Sequence, residues 1–94
     1  LPDGSYAFLR RLLETPGPSG FEAAPARAWR EEAATFAAEV SADVIGNSYA
    51  VVNPEGSPTI LLAGHVDEIG LIVNHVDDSG YVYVGPIGGW DPQV

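Results

Sequence analysis

The densest group of chemically capable side chains in this 94-residue sequence is Ala63-Gly64-His65-Val66-Asp67-Glu68-Ile69-Gly70. A neutral imidazole offers one ring nitrogen to a divalent metal, and an acid two residues further on is placed to accept the other ring N–H. Such a contact fixes the tautomer and raises the basicity of the coordinating nitrogen. His65 is therefore a candidate metal ligand and Asp67 its candidate orienting acid. The same residues have a plainer reading, in which His65 ends a strand and bonds a backbone carbonyl while Asp67 and Glu68 are solvated turn acids. The pattern alone leaves both open.

Other groups offer less. His75 shares a face with Leu71 and Val73 and has no acid two residues before it, which suits a packing or surface histidine. Gly17-Pro18-Ser19-Gly20 precedes a helical pattern and has free N–H groups for an anion, yet it lacks the lysine and spacing of a phosphate loop and follows no strand. Turn and cap chemistry accounts for it better. None of Ser5, Ser19, Ser41, Ser48, Ser57 and Ser79 lies in a nucleophile-elbow pattern. With no cysteine, any metal is held by His and carboxylate alone. A two-metal hydrolytic site needs about two to four protein groups per ion. Only His65 and His75 exist as imidazole donors, so these residues are not expected to complete such a site.

The elements that must position His65 and Asp67 begin with Ile60-Leu61-Leu62-Ala63. This run has no polar alternation, which suits a strand covered on both faces. His65 follows it at the carboxyl end, where open α/β sheets place ligands. Short β-branched runs predict strands over 40–45, 48–53, 59–64, 70–76 and 81–85, separated by the Gly46-Asn47 turn, a loop over 53–58 and a hairpin connection over 77–80. Two helices precede them. Ser5 is expected to cap the first, with Tyr6, Leu9, Leu12 and Leu13 on one face, ending near Thr15 before the prolines. Ser19 and Glu22 have capping-box spacing for the second, whose apolar stripe is Trp29, Ala33, Phe36, Ala37 and Val40. Pro25 favours a start near Ala24 over a kink. No internal repeat is evident.

Four Lys+Arg against 13 Asp+Glu give a formal charge of −9, which repels phosphate backbones and anionic lipid heads. Nucleic acid and membrane surfaces are excluded as first expectations. The apolar runs are far shorter than the roughly 20 residues of a membrane-spanning helix. Two helices and five strands leave one face of a sheet uncovered, so the chain reads as a fragment. Leu1 is not a translation start, no signal-peptide pattern follows it, and Val94 falls where a further strand would begin.

Four blocks in order carry a resemblance: Leu12-Leu13-Glu14-Thr15-Pro16-Gly17-Pro18-Ser19-Gly20-Phe21-Glu22, Asp43-Val44-Ile45-Gly46-Asn47, Gly64-His65-Val66-Asp67-Glu68-Ile69-Gly70 and Ile87-Gly88-Gly89-Trp90. The sequence resembles the N-terminal quarter of the tetrahedral (TET-type) metallo-aminopeptidases, a family that includes glutamyl and deblocking aminopeptidases and FrvX-like proteins. The resemblance implies an α/β fold: the N-terminal part of a helix-covered mixed-sheet metallopeptidase domain over residues 1–69, then the first strands of an inserted β-barrel dimerisation domain over 70–94. It also implies a co-catalytic pair of divalent ions, zinc or cobalt, with His65 a ligand of one and Asp67 the catalytic residue that orients it. It transfers no ligand role to Glu68. The general-base glutamate and the remaining ligands have no counterpart here, so full metal binding by these residues alone is not expected. Pro25 departs from the family pattern and touches only the helix start.

The implied activity is removal of N-terminal residues from peptides by a cytoplasmic enzyme whose dimers assemble into a hollow dodecamer. Two alternatives stand beside it: a related co-catalytic amidohydrolase, either a deacylase or a carboxypeptidase, and a non-catalytic fragment.

Overall fold

The computed structural model describes residues 2–91 and Gln93, in the order α1 (Asp3–Glu14), α2 (Ala23–Ala33), β1 (Glu39–Ala42), β2 (Ser48–Val51), β3 (Gly70–Val76) and β4 (Val82–Ile87). Leu1, Pro92 and Val94, and with them the expectations about the chain's two ends, lie outside the described residues.

Helix α1 begins at Asp3, ahead of Ser5, and has no side-chain cap. Pro2 takes the flanking position with φ −55° and ψ 148°, its carbonyl accepts the Tyr6 N–H at 3.1 Å, and Asp3 lies at the positive end of the helix dipole. The helix stops at Glu14 because Thr15 precedes Pro16 and is held extended.

Helix α2 starts at Ala23, so Pro25 falls in the first turn, where its missing N–H would have had no helical partner. The late start holds and no kink is needed. The expected capping box does not form: Glu22 reaches back to the Gly20 N–H at 2.6 Å, and the Ser19 hydroxyl goes elsewhere. The helix also ends at Ala33, short of the predicted stripe, since Val40 lies in β1 and pairs with Ala50. A β-branched residue within reach of a hairpin ladder is better satisfied there than on a fraying helix end. Pro25, Ala26, Ala28 and Ala33 are the buried residues of α2. An Arg11–Glu31 ion pair links the helices, and Arg30 Nη1 donates to Ser48 Oγ at 2.7 Å to tie α2 to β2.

Strands β1 and β2 are antiparallel, as are β3 and β4, and the two pairs form separate sheets. Residue 74 is extra on β3, a bulge between Val73 and His75. The predicted strand over 59–64 forms no ladder among the described residues, and Ile60, Leu61 and Leu62 are 77–90% exposed. An apolar segment becomes a strand only where another edge accepts its hydrogen bonds. An isolated parallel bridge joins Pro18 to Glu68.

Both hairpins close on the same local device, although no repeat was evident in the sequence. In Asp43-Val44-Ile45-Gly46-Asn47-Ser48-Tyr49 and Asp77-Asp78-Ser79-Gly80-Tyr81-Val82-Tyr83, the first Asp accepts the backbone N–H groups two and four residues on. Its second oxygen accepts the tyrosine hydroxyl six residues on, at 3.0 Å for Tyr49 and 3.4 Å for Tyr83. The glycine, Gly46 or Gly80, sits at φ +99° or +86°, and its N–H closes the turn on the carbonyl of the first Asp at 3.2 or 3.0 Å. The first of these turns consumes residues 43–47, which is why β1 ends at Ala42 and not at Ile45, while β2 starts at Ser48 as expected and ends at Val51.

The radius of gyration is 17.6 Å, against about 12 Å for a compact chain of this length. Large apolar side chains are accordingly exposed throughout, including Leu13, Phe36, Val44, Ile45, Leu71 and Val84. No helix among the described residues is long and apolar enough to cross a membrane.

Candidate functional site

The segment around His65 is anchored to the loop between the two helices. Glu68 N–H donates to the Gly17 carbonyl at 3.0 Å, Ser19 N–H donates to the Glu68 carbonyl at 3.2 Å, and Gly17 N–H donates to Glu68 Oε1 at 3.0 Å. Gly17 is buried against the Pro25 ring so closely that a Cβ there would lie 2.4 Å from Pro25 Cγ. Proline at 16 and 18 limits the loop's backbone freedom, and the buried first turn of α2 supports it from behind. The anion-cradle reading of this loop fails, because the N–H groups of Gly17, Ser19 and Gly20 are already bonded to Glu68 and Glu22.

On this support Asp67 Oδ1 lies 2.8 Å from His65 Nδ1, and Asp67 Oδ2 accepts the Ser19 hydroxyl at 2.5 Å. The Ser19 hydrogen bond first, and the His65 contact second, hold the Asp67 carboxyl below the ordinary aspartate value. An ionised carboxylate only accepts, so the proton of a neutral imidazole sits on Nδ1 and the lone pair on Nε2. The His65 side chain is 86% exposed, which leaves Nε2 open to an incoming group. This is the arrangement a carboxylate-oriented metal-binding histidine requires. The donor chemistry therefore fits a divalent ion, with His65 as one ligand. No group of three or more His, Asp or Glu able to hold an ion occurs among the described residues.

His75 lies apart from this site, exposed on the β3–β4 sheet opposite Tyr83 with ring centroids 5.7 Å apart. Trp90 Nε1 donates to the Gly70 carbonyl at 2.8 Å and closes the β3–β4 unit next to the His65 segment. Two contributors escaped the sequence reading: Ser19 as a partner of Asp67, and Glu68 as the anchor of the loop. Ser19 and Asp67 are 48 residues apart, and no local spacing links them.

With this geometry in place, three similarities bear on the chain. A lysyl aminopeptidase of Pyrococcus furiosus is 38% identical over 90 residues, which is 94% of this chain and 25% of that protein. A protein of Thermococcus kodakarensis, provisionally named a LysW-lysine/LysW-ornithine hydrolase, is 38% identical over 73 residues, covering 77% of this chain and 21% of that protein. The crystal structure of a TET aminopeptidase from a marine sediment archaeon of the Thaumarchaeota superposes with a TM-score of 0.87 at 37% identity, covering 98% of this chain and 26% of that one. The chain thus spans about a quarter of the length of the proteins it resembles. The M42 glutamyl aminopeptidase family pattern matches residues 46–94, which contain the His65-Val66-Asp67 segment, and on these grounds the chain belongs to the M42 glutamyl aminopeptidase family.

Proposed function

We propose that the protein to which these residues belong is a cytoplasmic, metal-dependent aminopeptidase that removes N-terminal residues from peptides. One observation carries the reading: His65 Nδ1 is held by Asp67 while Nε2 is left free, in a chain of the M42 family. In this proposal His65 is a ligand of one of two divalent ions, zinc or cobalt, and Asp67 is the catalytic residue that keeps its ring in the coordinating tautomer. When bound, the ion pair supplies polarisation of the scissile carbonyl and activation of the attacking water. The chain's own part is to aim Nε2, to keep the proton on Nδ1 and to hold both through the loop at Gly17.

Residues 1–69 are proposed as part of the catalytic domain and residues 70–94 as the first strands of an inserted β-barrel dimerisation domain. The separate β3–β4 sheet supports that division. Homo-oligomers built from dimers follow from it, and native mass spectrometry of the complete protein tests the assembly.

The decisive experiment is His65→Ala in the complete protein. One metal equivalent per subunit is lost and turnover of peptides with a free amino terminus falls about 100-fold or more. Retention of both ions with full activity would refute the assignment. The isolated 94-residue chain is expected to show no chelator-sensitive turnover.

A second reading, a related metal amidohydrolase of the deacylase or carboxypeptidase type, is favoured by the relative provisionally named as a LysW-lysine/LysW-ornithine hydrolase. Cleavage of N-acylated amino acids in preference to free-amine peptides would select it.

A further inference from the structure

Ser19 occupies the place where a helix-capping residue is expected, yet it caps nothing. The Gly20 N–H near the start of α2 is bonded to Glu22, and the Ser19 hydroxyl points across to Asp67 Oδ2 at 2.5 Å. The two oxygens of Asp67 are thereby divided, Oδ1 to His65 and Oδ2 to Ser19.

We propose that Ser19 is a positioning residue for the metal site, its hydroxyl fixing the Asp67 carboxylate so that Asp67 in turn fixes the His65 imidazole. The inference rests on the reading of His65 as a metal ligand given above. Three features carry it. A carboxylate bonded through one oxygen still swings about its Cβ–Cγ bond, and a second bond on the other oxygen removes that freedom. His65 has almost no packing of its own, its side chain being 86% exposed, so its orientation depends on Asp67. Ser19 is itself well supported: its N–H bonds the Glu68 carbonyl at 3.2 Å, the neighbouring Pro18 carbonyl accepts the Phe21 N–H at 2.8 Å, and Gly17 is packed on the buried Pro25. The loop thus transmits the rigidity of the α2 first turn to an exposed histidine.

The test uses the complete protein with Ser19→Ala, Ser19→Thr and His65→Ala. Cobalt(II) affinity is measured by chelator competition, and the ligand field by the visible absorption of the cobalt-loaded protein. Loss of a partner in direct contact with a metal-binding histidine weakens binding about 10- to 100-fold, and Ser19 acts one bond further out, so Ser19→Ala is expected to weaken cobalt binding about 3- to 10-fold. Its cobalt bands change in intensity, while Ser19→Thr, which keeps the hydroxyl, stays close to the unsubstituted protein in both readouts. Unchanged affinity and spectrum in Ser19→Ala, or a Ser19→Thr no better than Ser19→Ala, would overturn the proposal. Should Ser19→Ala not fold, Ser19→Gly, which also removes the hydroxyl and adds no metal-binding group, is judged by the same criteria. The His65→Ala arm separates the failures. If it loses one metal equivalent while Ser19→Ala binds normally, only the role of Ser19 falls. If it keeps both ions, the ligand reading falls and takes this proposal with it.

Discussion

Substituting Gly17 by alanine tests whether the loop between the helices supports the His65 segment. The added Cβ would stand 2.4 Å from Pro25 Cγ, whereas nonbonded carbons rest at about 3.5–4.0 Å. Pro25 is buried and its ring has no rotamer with which to escape, so the loop backbone must retreat by about 1 Å. A shift of that size stretches two 3.0 Å bonds, Gly17 N–H to Glu68 Oε1 and Glu68 N–H to the Gly17 carbonyl, beyond hydrogen-bonding range. Overpacking costs about 1–3 kcal/mol, and each of the two lost hydrogen bonds about 1 kcal/mol net of exchange with water. A local destabilisation of about 3–5 kcal/mol follows, equivalent to about a 160- to 5,000-fold rise in the open population. Hydrogen exchange of the complete protein, read by mass spectrometry on peptides covering 16–22 and 66–70, measures it directly. Gly20→Ala is the control: Gly20 has φ +93° with open space around its Cβ position, so it incurs only the left-handed backbone cost of about 1–2 kcal/mol. If Gly17→Ala left exchange in both peptides unchanged, the loop would not be the support claimed for it.

The two hairpin turns offer matched tests. Gly46→Ala and Gly80→Ala are each expected to destabilise their own hairpin by about 1–2 kcal/mol through the positive φ alone, since neither position crowds a Cβ. Exchange of the flanking strand amides checks this, and unequal losses would show that the turns differ in kind. Tyr49→Phe should loosen its hairpin more than Tyr83→Phe, because the Tyr49 hydroxyl lies 3.0 Å from its Asp and that of Tyr83 3.4 Å. The Asn47 side-chain amide first, then the Tyr49 hydroxyl and the turn N–H groups, hold the Asp43 carboxyl below the ordinary aspartate value. The native state therefore binds fewer protons than the unfolded chain. The contribution of Asp43 is complete above the unfolded value and is lost as pH falls through the lower native one. An acid titration of β1–β2 amide exchange should show this dependence, and Asp43→Asn should abolish it.

Much of the local structure was legible because it depends on neighbours in the chain. Thr15 before Pro16 ends α1, Pro25 marks the first turn of α2, and β3 spans residues 70–76 as its β-branched alternation predicts. Errors arose where distant partners decide. Val40 continues a helical stripe by spacing, yet the β2 ladder takes it into a strand. Ile60, Leu61 and Leu62 read as a covered strand, but they pair with no strand among the described residues and are exposed. Ser19 reads as a cap by its distance from Glu22, and its hydroxyl bonds Asp67 instead.

The site divides in the same way. The spacing of His65 and Asp67 made their contact one of two open readings, and the structure shows it formed at 2.8 Å. Composition also limits the imidazole donors of this sequence to His65 and His75. Only the tertiary structure decided what holds that pair still. The Ser19–Asp67 and Gly17–Glu68 bonds join residues 48 and 51 positions apart, and contacts at that separation exist only once loop closure has been offset by packing, here of Gly17 on Pro25.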